Sequence, residues 1–251
     1  MTRSRSPGDP TTLRNDASDP ITVVDAGMVD YATAWAWQRD LARRRLDGEV
    51  GDVVLLVQHP PTYTLGRRAD HANVLLDQAA LDAAGIAVFE VDRGGDVTYH
   101  GPGQLVGYPV VRLAGPRVVD YVRALEEVNI RMLARHDIAA TRIDGLTGVW
   151  TDHGKVTAIG VRVTAGRITQ HGWATNVAPD LADFDGIVAC GITDRSVTSM
   201  RALGSDASMA TVVGDTAETV AAVLGAPAIV ARPGDVGLHE DVATRATQVG
   251  G

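Results

Sequence analysis

The chain alternates short apolar strand patterns with amphipathic helix patterns, and this alternation limits its possible folds more than any other feature. Strand patterns are ITVVD, DVVLLVQ, IAVFEVD and LVGYPVV, all within residues 21–111. Helical spacing of large apolar residues covers 28–46, 77–84, 118–133 and 209–224. Residues 148–171 repeat strand patterns around two glycine-containing turns, which is typical of hairpins. Helices interleaved with clustered hairpins predict an α+β (mixed α/β) domain with a mixed, largely antiparallel sheet packed with helices.

Glycine, proline and aspartate mark where these elements end. Gly48 and Gly85 follow the first two helix patterns, where the missing Cβ permits a left-handed C-cap. Asp77 precedes the second helix pattern as an N-cap. The pair Pro60-Pro61 ends the strand at 52–58, because proline has no backbone donor.

Composition separates one domain from two tails. Residues 1–20 contain Leu13 as their only large aliphatic residue besides Met1, so we expect a disordered N-terminal tail. Residues 232–251 are also poor in large apolar groups and are expected to form a loosely attached C-terminal tail. A single domain is then predicted at 21–231, which suits a chain of 251 residues.

Charge and cysteine content exclude several classes. The formal net charge of −8 argues against a general nucleic-acid binder. No apolar run approaches the roughly 18 residues of a membrane span, and no secretory h-region is present. The single cysteine rules out an internal disulfide and fits a reducing compartment, so a cytoplasmic protein without a membrane association is expected.

The chain has one lysine, Lys155, and one cysteine, Cys190, while arginine supplies its remaining basic side chains. Lysine can serve as a base where its surroundings depress its pKa, whereas arginine stays protonated. A thiol attacks as the thiolate, which a nearby cation favours. Together these residues suggest a nucleophile–lysine pair. The alternatives are a strand-end lysine that reaches solvent and a small buried core cysteine.

Strand alternation gives a specific expectation for the lysine. In a regular strand, Lys155 shares a face with Thr157, Ile159, Val161 and Val163.

The segment RGGDVTYHGPGQ (93–104) carries four glycines and one proline in twelve residues. Glycine lets a ligand approach the backbone, and donors lie along the same stretch. Neither standard phosphate-loop pattern occurs in it. An ordinary glycine-rich hairpin is the alternative.

A second polar segment, TQHGWATNV (169–177), contains His171 and Asn176. His171 could pair with Cys190 in a cysteine–histidine arrangement. One cysteine cannot build a thiolate zinc site and no HExxH pattern occurs, so no metal centre is expected.

These segments together resemble the lipoyl(octanoyl) transferase family, and the arginine-rich composition suggests an actinobacterial member. The match includes RGGDVTYHGPGQLVGYPVV, LTGVW, KVTAIGVRV, HGWATNV, DFDGIVACGI and VTSM, in order, over roughly residues 21–224. One departure is Ala189, where the family usually has proline before the cysteine.

The resemblance implies the fold of the biotin and lipoate protein ligase catalytic domain. It implies transfer of an octanoyl group from acyl carrier protein to a lysine of apo lipoyl domains, those of 2-oxoacid dehydrogenases and of the glycine cleavage H protein. Cys190 would hold the acyl group as a thioester and Lys155 would activate the thiol. We expect no cofactor, and a monomer. Gln104, His171 and Asn176 are possible supporting residues. The implied acyl pocket comprises Arg93, Gly94, Gly95, Asp96, Val97, Thr98, Tyr99, His100, Ala158, Ile159, Gly160, Gly172, Trp173 and Ala174.

Three alternatives stay open from the sequence. An ATP-dependent lipoate or biotin ligase of the same fold would use Lys155 for ligand binding. A non-catalytic module that binds lipoyl domains or fatty acids would need no such pair. A cysteine hydrolase with Cys190 and His171 would release the free acid to water.

Overall fold

The computed structural model describes residues 12–16, 19–188 and 196–239 of the chain. Four α-helices occur in these ranges: α1 (Tyr31–Asp47), α2 (Gln78–Ala84), α3 (Val118–Ala134) and α4 (Met209–Leu224). The strands of the same ranges are β1 (Ile21–Met28), β2 (Val53–Gln58), β3 (Thr62–Leu65), β4 (Ala87–Glu90), β5 (Val97–His100), β6 (Gln104–Val110), β7 (Thr141–Ile143), β8 (Leu146–Thr151), β9 (Gly154–Val163), β10 (Thr169–Asn176) and β11 (Ala228–Ala231).

The described strands form one large sheet and one small sheet. The large sheet has the order β11-β1-β2-β6-β10-β9-β8-β7, and the small sheet has the order β4-β3-β5. In the large sheet, β1 is parallel to both of its neighbours. Each neighbouring pair in the run β2-β6-β10-β9-β8-β7 is antiparallel. The predicted mixed, largely antiparallel sheet is therefore confirmed.

The helix ends follow the local chemistry of the sequence. Gly48 and Gly85 adopt left-handed conformations, with φ of 78° and 64°, and end α1 and α2 as predicted. The Asp77 carboxylate accepts a 2.9 Å hydrogen bond from the Ala80 amide at the start of α2. At α4 the hydroxyl of Ser208 accepts from the Thr211 amide in the same way.

Helices cover both faces of the large sheet. The apolar faces of α3 and α4 pack on one side, around residues such as Leu125 and Val220. α1 packs on the other side through Trp37 and Leu41. A third buried cluster fills the space beneath the small sheet. The space between α1, the small sheet and the large sheet is where the candidate site lies.

The N-terminal segment packs onto the domain. Leu13 is 1% exposed and joins the core beside α3. Arg14 is buried, and its Nε donates to the Asp52 carboxylate, which also accepts from Arg45 at 2.6 Å. The expected disordered tail at 1–20 is thus wrong for residues 12–16, because the partners that cover this leucine and arginine are distant in sequence. Residues 1–11 and 17–18 lie outside the described ranges.

The C-terminal segment is also attached as far as it is described. Residues 233–236 form a 3-10 turn, and Leu238 is buried in the cluster around α1. The Trp37 indole donates to the His239 carbonyl at 2.9 Å. A loosely attached tail from residue 232 is therefore wrong up to 239, and residues 240–251 lie outside the described ranges. Across the described chain, every helix is too short or too polar to traverse a bilayer.

Candidate active site

A cavity of about 650 Å³ lies between the large sheet, the start of α1 and the glycine-rich segment. This volume is within the usual range for a small-molecule site. Its lining includes Tyr31, Arg68, Arg93, Gly94, Gly95, Asp96, Thr98, His100, Val106, Tyr108, Lys155, Ala158, Ile159, Gly160, His171, Gly172, Trp173 and Ala174. Most of the residues predicted for the site therefore surround one cavity, although the first and last of them, Arg93 and Ala174, are 81 positions apart in the sequence.

Two of the predicted pocket residues point elsewhere. The side chains of Val97 and Tyr99 are fully buried in the cluster beneath the small sheet. Tyr99 donates from its hydroxyl to the Asp183 carboxylate, away from the cavity. Thr98 and His100 alternate with them along β5 and line the cavity instead.

Lys155 reaches the cavity because β9 is irregular at its start. Val149 pairs with Thr157 but the next residue, Trp150, pairs with Lys155, so β9 contains one extra residue at this bulge. Val149 lies in the core beside α3. Trp150 and its cross-strand partner Lys155 lie on the opposite face, with the Lys155 ammonium 4.6 Å from the indole centroid.

The bulge overturns one sequence expectation. Lys155 was predicted to share a face with Thr157, but the extra residue separates them, and Thr157 faces α3 through its hydrogen-bonded neighbour Thr175. Lys155 instead lies on the cavity side with Ala158. A strict two-residue period cannot reveal a bulge, so the sequence alone could not give this orientation.

Cys190 lies outside the described residues, but the chain is described on both sides of it. On one side the Val188 amide donates to the Asn73 carbonyl at 2.8 Å, and the Asn73 side chain donates to the cavity residue Asp96. On the other side, the main chain of Lys155 donates to Ser196 and accepts from Thr198, each at 3.0 Å. One described flank is therefore attached directly to the cavity residue Lys155, and the other is attached through Asn73 to the cavity residue Asp96.

The glycine-rich loop lies directly on β9. The Gly94 amide donates to the Val161 carbonyl at 3.0 Å, and a Cβ built on Gly160 would lie 2.9 Å from the Gly94 carbonyl oxygen. Glycine at 160 therefore permits the close approach. The Arg93 guanidinium donates to the carbonyl and hydroxyl of Thr64 at 2.6 and 2.9 Å. Arg93 thus holds the loop against β3.

A chain of hydrogen bonds joins this segment to β10. The Gln104 side chain accepts from His100 at 2.8 Å and donates to Asn176 at 2.9 Å. Asn176 in turn donates to the Thr198 carbonyl, next to Lys155. Burial lowers the pKa of His100 well below its ordinary value, so its imidazole is neutral. Gln104 and Asn176 are therefore hydrogen-bonded to each other and connect His100 to Thr198.

His171 lies at the other end of β10. It pairs with Val161, which is six positions from Lys155 along β9, roughly 20 Å at strand spacing. Its Nε2 donates to the Asp92 carboxylate at 2.8 Å, and that hydrogen bond lowers the pKa of Asp92. Burial lowers the pKa of His171 itself. His171 thus lines the part of the cavity farthest along β9 from Lys155, and its role in the site stays a prediction.

Several aromatic and apolar residues that line the cavity were not predicted as site residues. Tyr31, Val106 and Tyr108 line the cavity, and His59 lies behind Tyr108 with a 2.8 Å hydrogen bond to its hydroxyl. Val106 and Tyr108 belong to the strand pattern LVGYPVV and Tyr31 to the helix pattern at 28–46, but these patterns predicted secondary structure and not a place in the site. Pro60-Pro61 was interpreted only as the end of a strand, so the buried histidine that precedes it was not predicted to lie beside the site.

The described residues contain no group of three His, Cys, Asp or Glu side chains placed to hold a metal ion. The cavity is lined by neutral side chains, by the main chain of glycines, by the cations Arg68, Arg93 and Lys155, and by the carboxylate of Asp96.

Proteins that are similar to this chain in sequence are named as octanoyltransferases, and the matching family model is that of a ligase domain. The model of the lipoyl protein ligase A/B catalytic domain matches residues 30–221. An octanoyltransferase of Chloroflexus aggregans is 51% identical over 72% of this chain and 83% of its own length. One from Roseiflexus sp. is 45% identical over 90% of this chain and 96% of its own.

Solved structures share the fold at low sequence identity. A putative lipoate protein ligase from T. acidophilum with bound lipoic acid has a TM-score of 0.73 and 14% identity, covering 92% of this chain and 95% of its own. A lipoate-protein ligase A bound with ATP has a TM-score of 0.75 and 14% identity, covering 92% and 94%. The fold of the ligase catalytic domain expected from the sequence is therefore confirmed.

Proposed function

The chain belongs to the lipoyl protein ligase A/B catalytic domain family, and on this basis we propose that it is an acyltransferase that transfers an octanoyl group in protein lipoylation. The supporting relatives match most of the chain and are named octanoyltransferase. The structural observation that carries the proposal is the placement of Lys155 on the cavity face of β9, next to a floor made of small residues.

The floor suits a short hydrocarbon chain. Ala158, Ala174 and Val106 pair across β9, β10 and β6 and form one row on the cavity side. Their small side chains leave space above the sheet, and each methylene group removed from water contributes about 0.8 kcal/mol. An octanoyl tail lying over this row would be held without any charged contact.

The proposed reaction takes place in two steps through Cys190. In the first, Lys155 accepts the thiol proton, the thiolate attacks the octanoyl thioester of the carrier, and the carrier thiol leaves with that proton. In the second, the amine of a lipoyl-domain lysine attacks the Cys190 thioester, an amide forms, and the cysteine sulfur leaves. Lys155 takes the proton released by the amine. A covalent intermediate divides the transfer into two easier displacements.

Each tetrahedral intermediate carries an oxyanion that requires hydrogen-bond donors. The amide of Cys190 and an amide of the glycine-rich loop are the candidates. The Gly95 region is well placed for this role, because Arg93 and the Gly94–Val161 hydrogen bond fix the loop beside the cavity.

For the partners, we propose those that the family resemblance implies. The donor is octanoyl-acyl carrier protein, and the acceptors are apo lipoyl domains of 2-oxoacid dehydrogenases and the glycine cleavage H protein. We further propose that the enzyme acts as a monomer in the cytoplasm. A thioester donor is already activated, so the transfer needs neither ATP nor a metal.

A comparison of two acyl donors in separate assays tests this proposal against the ligase alternative. The purified protein is given apo lipoyl domain with octanoyl-acyl carrier protein and EDTA, or with free octanoate, ATP and Mg²⁺. Transfer in the first mixture supports the proposal. Transfer confined to the second would assign the chain to the ATP-dependent ligases, and release of octanoate without amide formation would indicate a hydrolase.

A further inference from the structure

The pairing of β8 with β9 ends beside the bulge that carries Lys155, at the pair Val149 and Thr157. Gly148, the residue of β8 that precedes this pair, has a φ of 120°, which glycine adopts readily and other residues rarely do. A Cβ built on Gly148 would lie 2.6 Å from the Thr157 carbonyl oxygen. A side chain at position 148 would therefore push the two strands apart.

Gly148 also forms the surface against which the Lys155 side chain lies. The same built Cβ would be 3.5 Å from Cε and 3.7 Å from Cδ of Lys155, which are ordinary contact distances. Gly148 and Trp150 are two residues apart in β8, so they face the same side of the sheet. The lysine stem thus contacts the glycine, and its ammonium lies over the indole ring. A shift of the main chain at 148 would move the amine.

The main chain at Gly148 is held by Glu126 of α3. The Gly148 amide donates to Oε1 of this carboxylate at 3.2 Å. The other carboxylate oxygen accepts from Arg123 of the same helix at 2.7 Å and from Arg142 of β7 at 3.0 Å. Donors from α3, β7 and β8 therefore converge on one carboxylate behind Lys155.

The burial of Glu126 is complete, with 0% of the residue exposed. A buried carboxylate is costly unless its oxygens are hydrogen-bonded, so this position calls for a reason. The next residue, Glu127, joins α3 to the same Arg142 at 2.7 Å while its side chain stays 29% exposed. Attachment of β7 to α3 therefore does not require a buried carboxylate. What distinguishes Glu126 is its contact with the Gly148 amide.

We infer that Glu126 is a positioning residue for acyl transfer: its carboxylate fixes Gly148 and, through Gly148, the amine of Lys155. Glu126 approaches from the α3 side of the sheet and acts without touching the substrate. The inference rests on the proposed function for the part that Lys155 takes in transfer. Proton transfer requires exact placement, and a displacement of about 1 Å can cost roughly 10²-fold in rate.

The position of Lys155 can be measured directly, because the chain has one lysine. Full-length protein labelled with ¹³C-lysine gives one lysine side-chain signal by NMR. Protons over the face of an aromatic ring are shielded, so the Lys155 Hε signal should lie upfield of lysine in an unfolded peptide. The spectrum, the melting temperature and steady-state transfer are recorded for the wild type and each variant.

The variants are Glu126→Leu, Glu126→Gln and Gly148→Ala. Glutamine keeps the size of Glu126 but offers one acceptor oxygen to the three donors. The same two substitutions at Glu127 are the matched controls, because Glu127 shares the Arg142 partner and the helix.

In Glu126→Leu and Gly148→Ala, the lysine signal should move toward the unfolded-peptide position. We expect kcat for transfer to fall roughly 10- to 100-fold, with KM for the carrier changed less than about twofold. Glu126→Gln should shift the signal less in the same direction, and it carries the test if the other two variants do not fold. The Glu127 variants should keep the wild-type signal and kcat. Lost stability alone would lower the melting temperature without moving the signal of the folded protein.

An unchanged signal in the folded Glu126 variants, or an equal shift in the Glu127 controls, would overturn the inference. So would a wild-type signal at the unfolded-peptide position, or a shifted signal with wild-type kcat. A wild type that transfers no acyl chain would contradict the proposed function instead. The lysine signal still tests the link from Glu126 to Lys155 in that case, because it does not depend on activity.

Discussion

The ammonium of Lys155 lies 4.6 Å from the centroid of the Trp150 ring, its direct partner across β8 and β9. A cation over an indole face is attracted by the ring quadrupole, which contributes about 0.5–2 kcal/mol. Trp150 is 2% exposed, so the ring is itself fixed by packing. Together with the bulge in β9, the ring sets the direction in which Lys155 enters the cavity.

Two roles are open to Lys155: a base that moves protons, and a cation that stabilises the thiolate. Substitutions at this position can separate them. If Lys155 moves protons, Lys155→Arg should lower octanoyl transfer by roughly 10²–10⁴-fold, because arginine keeps the charge but does not release its proton. The thiolate needs only a cation, so iodoacetamide should still alkylate Cys190 in this variant. Steady-state transfer and alkylation rate against pH measure the two effects.

Lys155→Met is the control, because it removes the cation as well. Its alkylation profile should shift to higher pH. An arginine variant with near wild-type transfer would refute the base role and leave an electrostatic role for Lys155.

The buried Leu13 predicts that the N-terminal segment contributes to stability. Leu13→Ala should lower the free energy of unfolding by about 2–5 kcal/mol, since it leaves a cavity beside α3. Asn15→Ala, at an exposed position of the same segment, should change it by less than about 0.5 kcal/mol. Urea denaturation measures both. Equal stabilities of the two variants would mean that the segment does not pack in solution.

Buried neutral histidines predict acid sensitivity. The His59 pKa is about 4 in the folded chain and about 6.5 when unfolded, so the unfolded state binds more protons between these values. The His59 contribution is therefore complete above about pH 6.5 and is lost as pH falls toward 4, at a cost of up to roughly 3 kcal/mol. Burial lowers the pKa of His100 and His171 in the same direction.

Urea denaturation from pH 7 to pH 4.5 follows this loss. His59→Leu should be less stable than the wild type at pH 7 but should show a shallower decline. A variant with the wild-type slope would show that His59 does not titrate in this range.

We predict that Arg67 and Arg68 form a docking site for the carrier and lipoyl domains, which we expect to be acidic. Both side chains are exposed beside the glycine-rich loop, and Arg68 lines the cavity. Charge reversal to glutamate at both positions should raise KM for the protein substrates about tenfold at low salt, with a small change in kcat and a smaller effect at high salt.

Another basic cluster, Arg43 to Arg45 on α1, has its charges paired with acidic side chains. Arg43 pairs with Asp47 and Glu49, and Arg45 is buried against Asp52. Arg43→Glu is therefore the matched control and should leave KM nearly unchanged. Identical KM values for the double variant and the wild type at low ionic strength would place docking elsewhere.

Local chemistry made much of the fold predictable. The glycine caps at 48 and 85, the aspartate cap at 77 and the range of α4 depend on interactions within a few residues, and the structure has them where the sequence indicates. The glycine-rich segment and the 158–160 and 172–174 segments likewise meet at one cavity. Their substrate-binding roles and the actinobacterial assignment stay predictions.

The remaining features depend on distant contacts. The burial of Leu13 and Arg14 requires α3 and Asp52, which local composition does not indicate. The face of Lys155 depends on a bulge that strand alternation cannot express. Tyr31, His59 and Tyr108 come from three separate segments and meet through ring contacts and one hydrogen bond. Cys190 was predicted from the sequence as the nucleophile, and it lies outside the described residues.

Intact-protein mass spectrometry of the enzyme with octanoyl-acyl carrier protein, without acceptor, tests the covalent scheme most directly. The account predicts one octanoyl adduct on the wild type that disappears on adding apo lipoyl domain or hydroxylamine, and no adduct on Cys190→Ser. An adduct that persists on Cys190→Ser with turnover retained, or a wild type that turns over without any adduct, would contradict it.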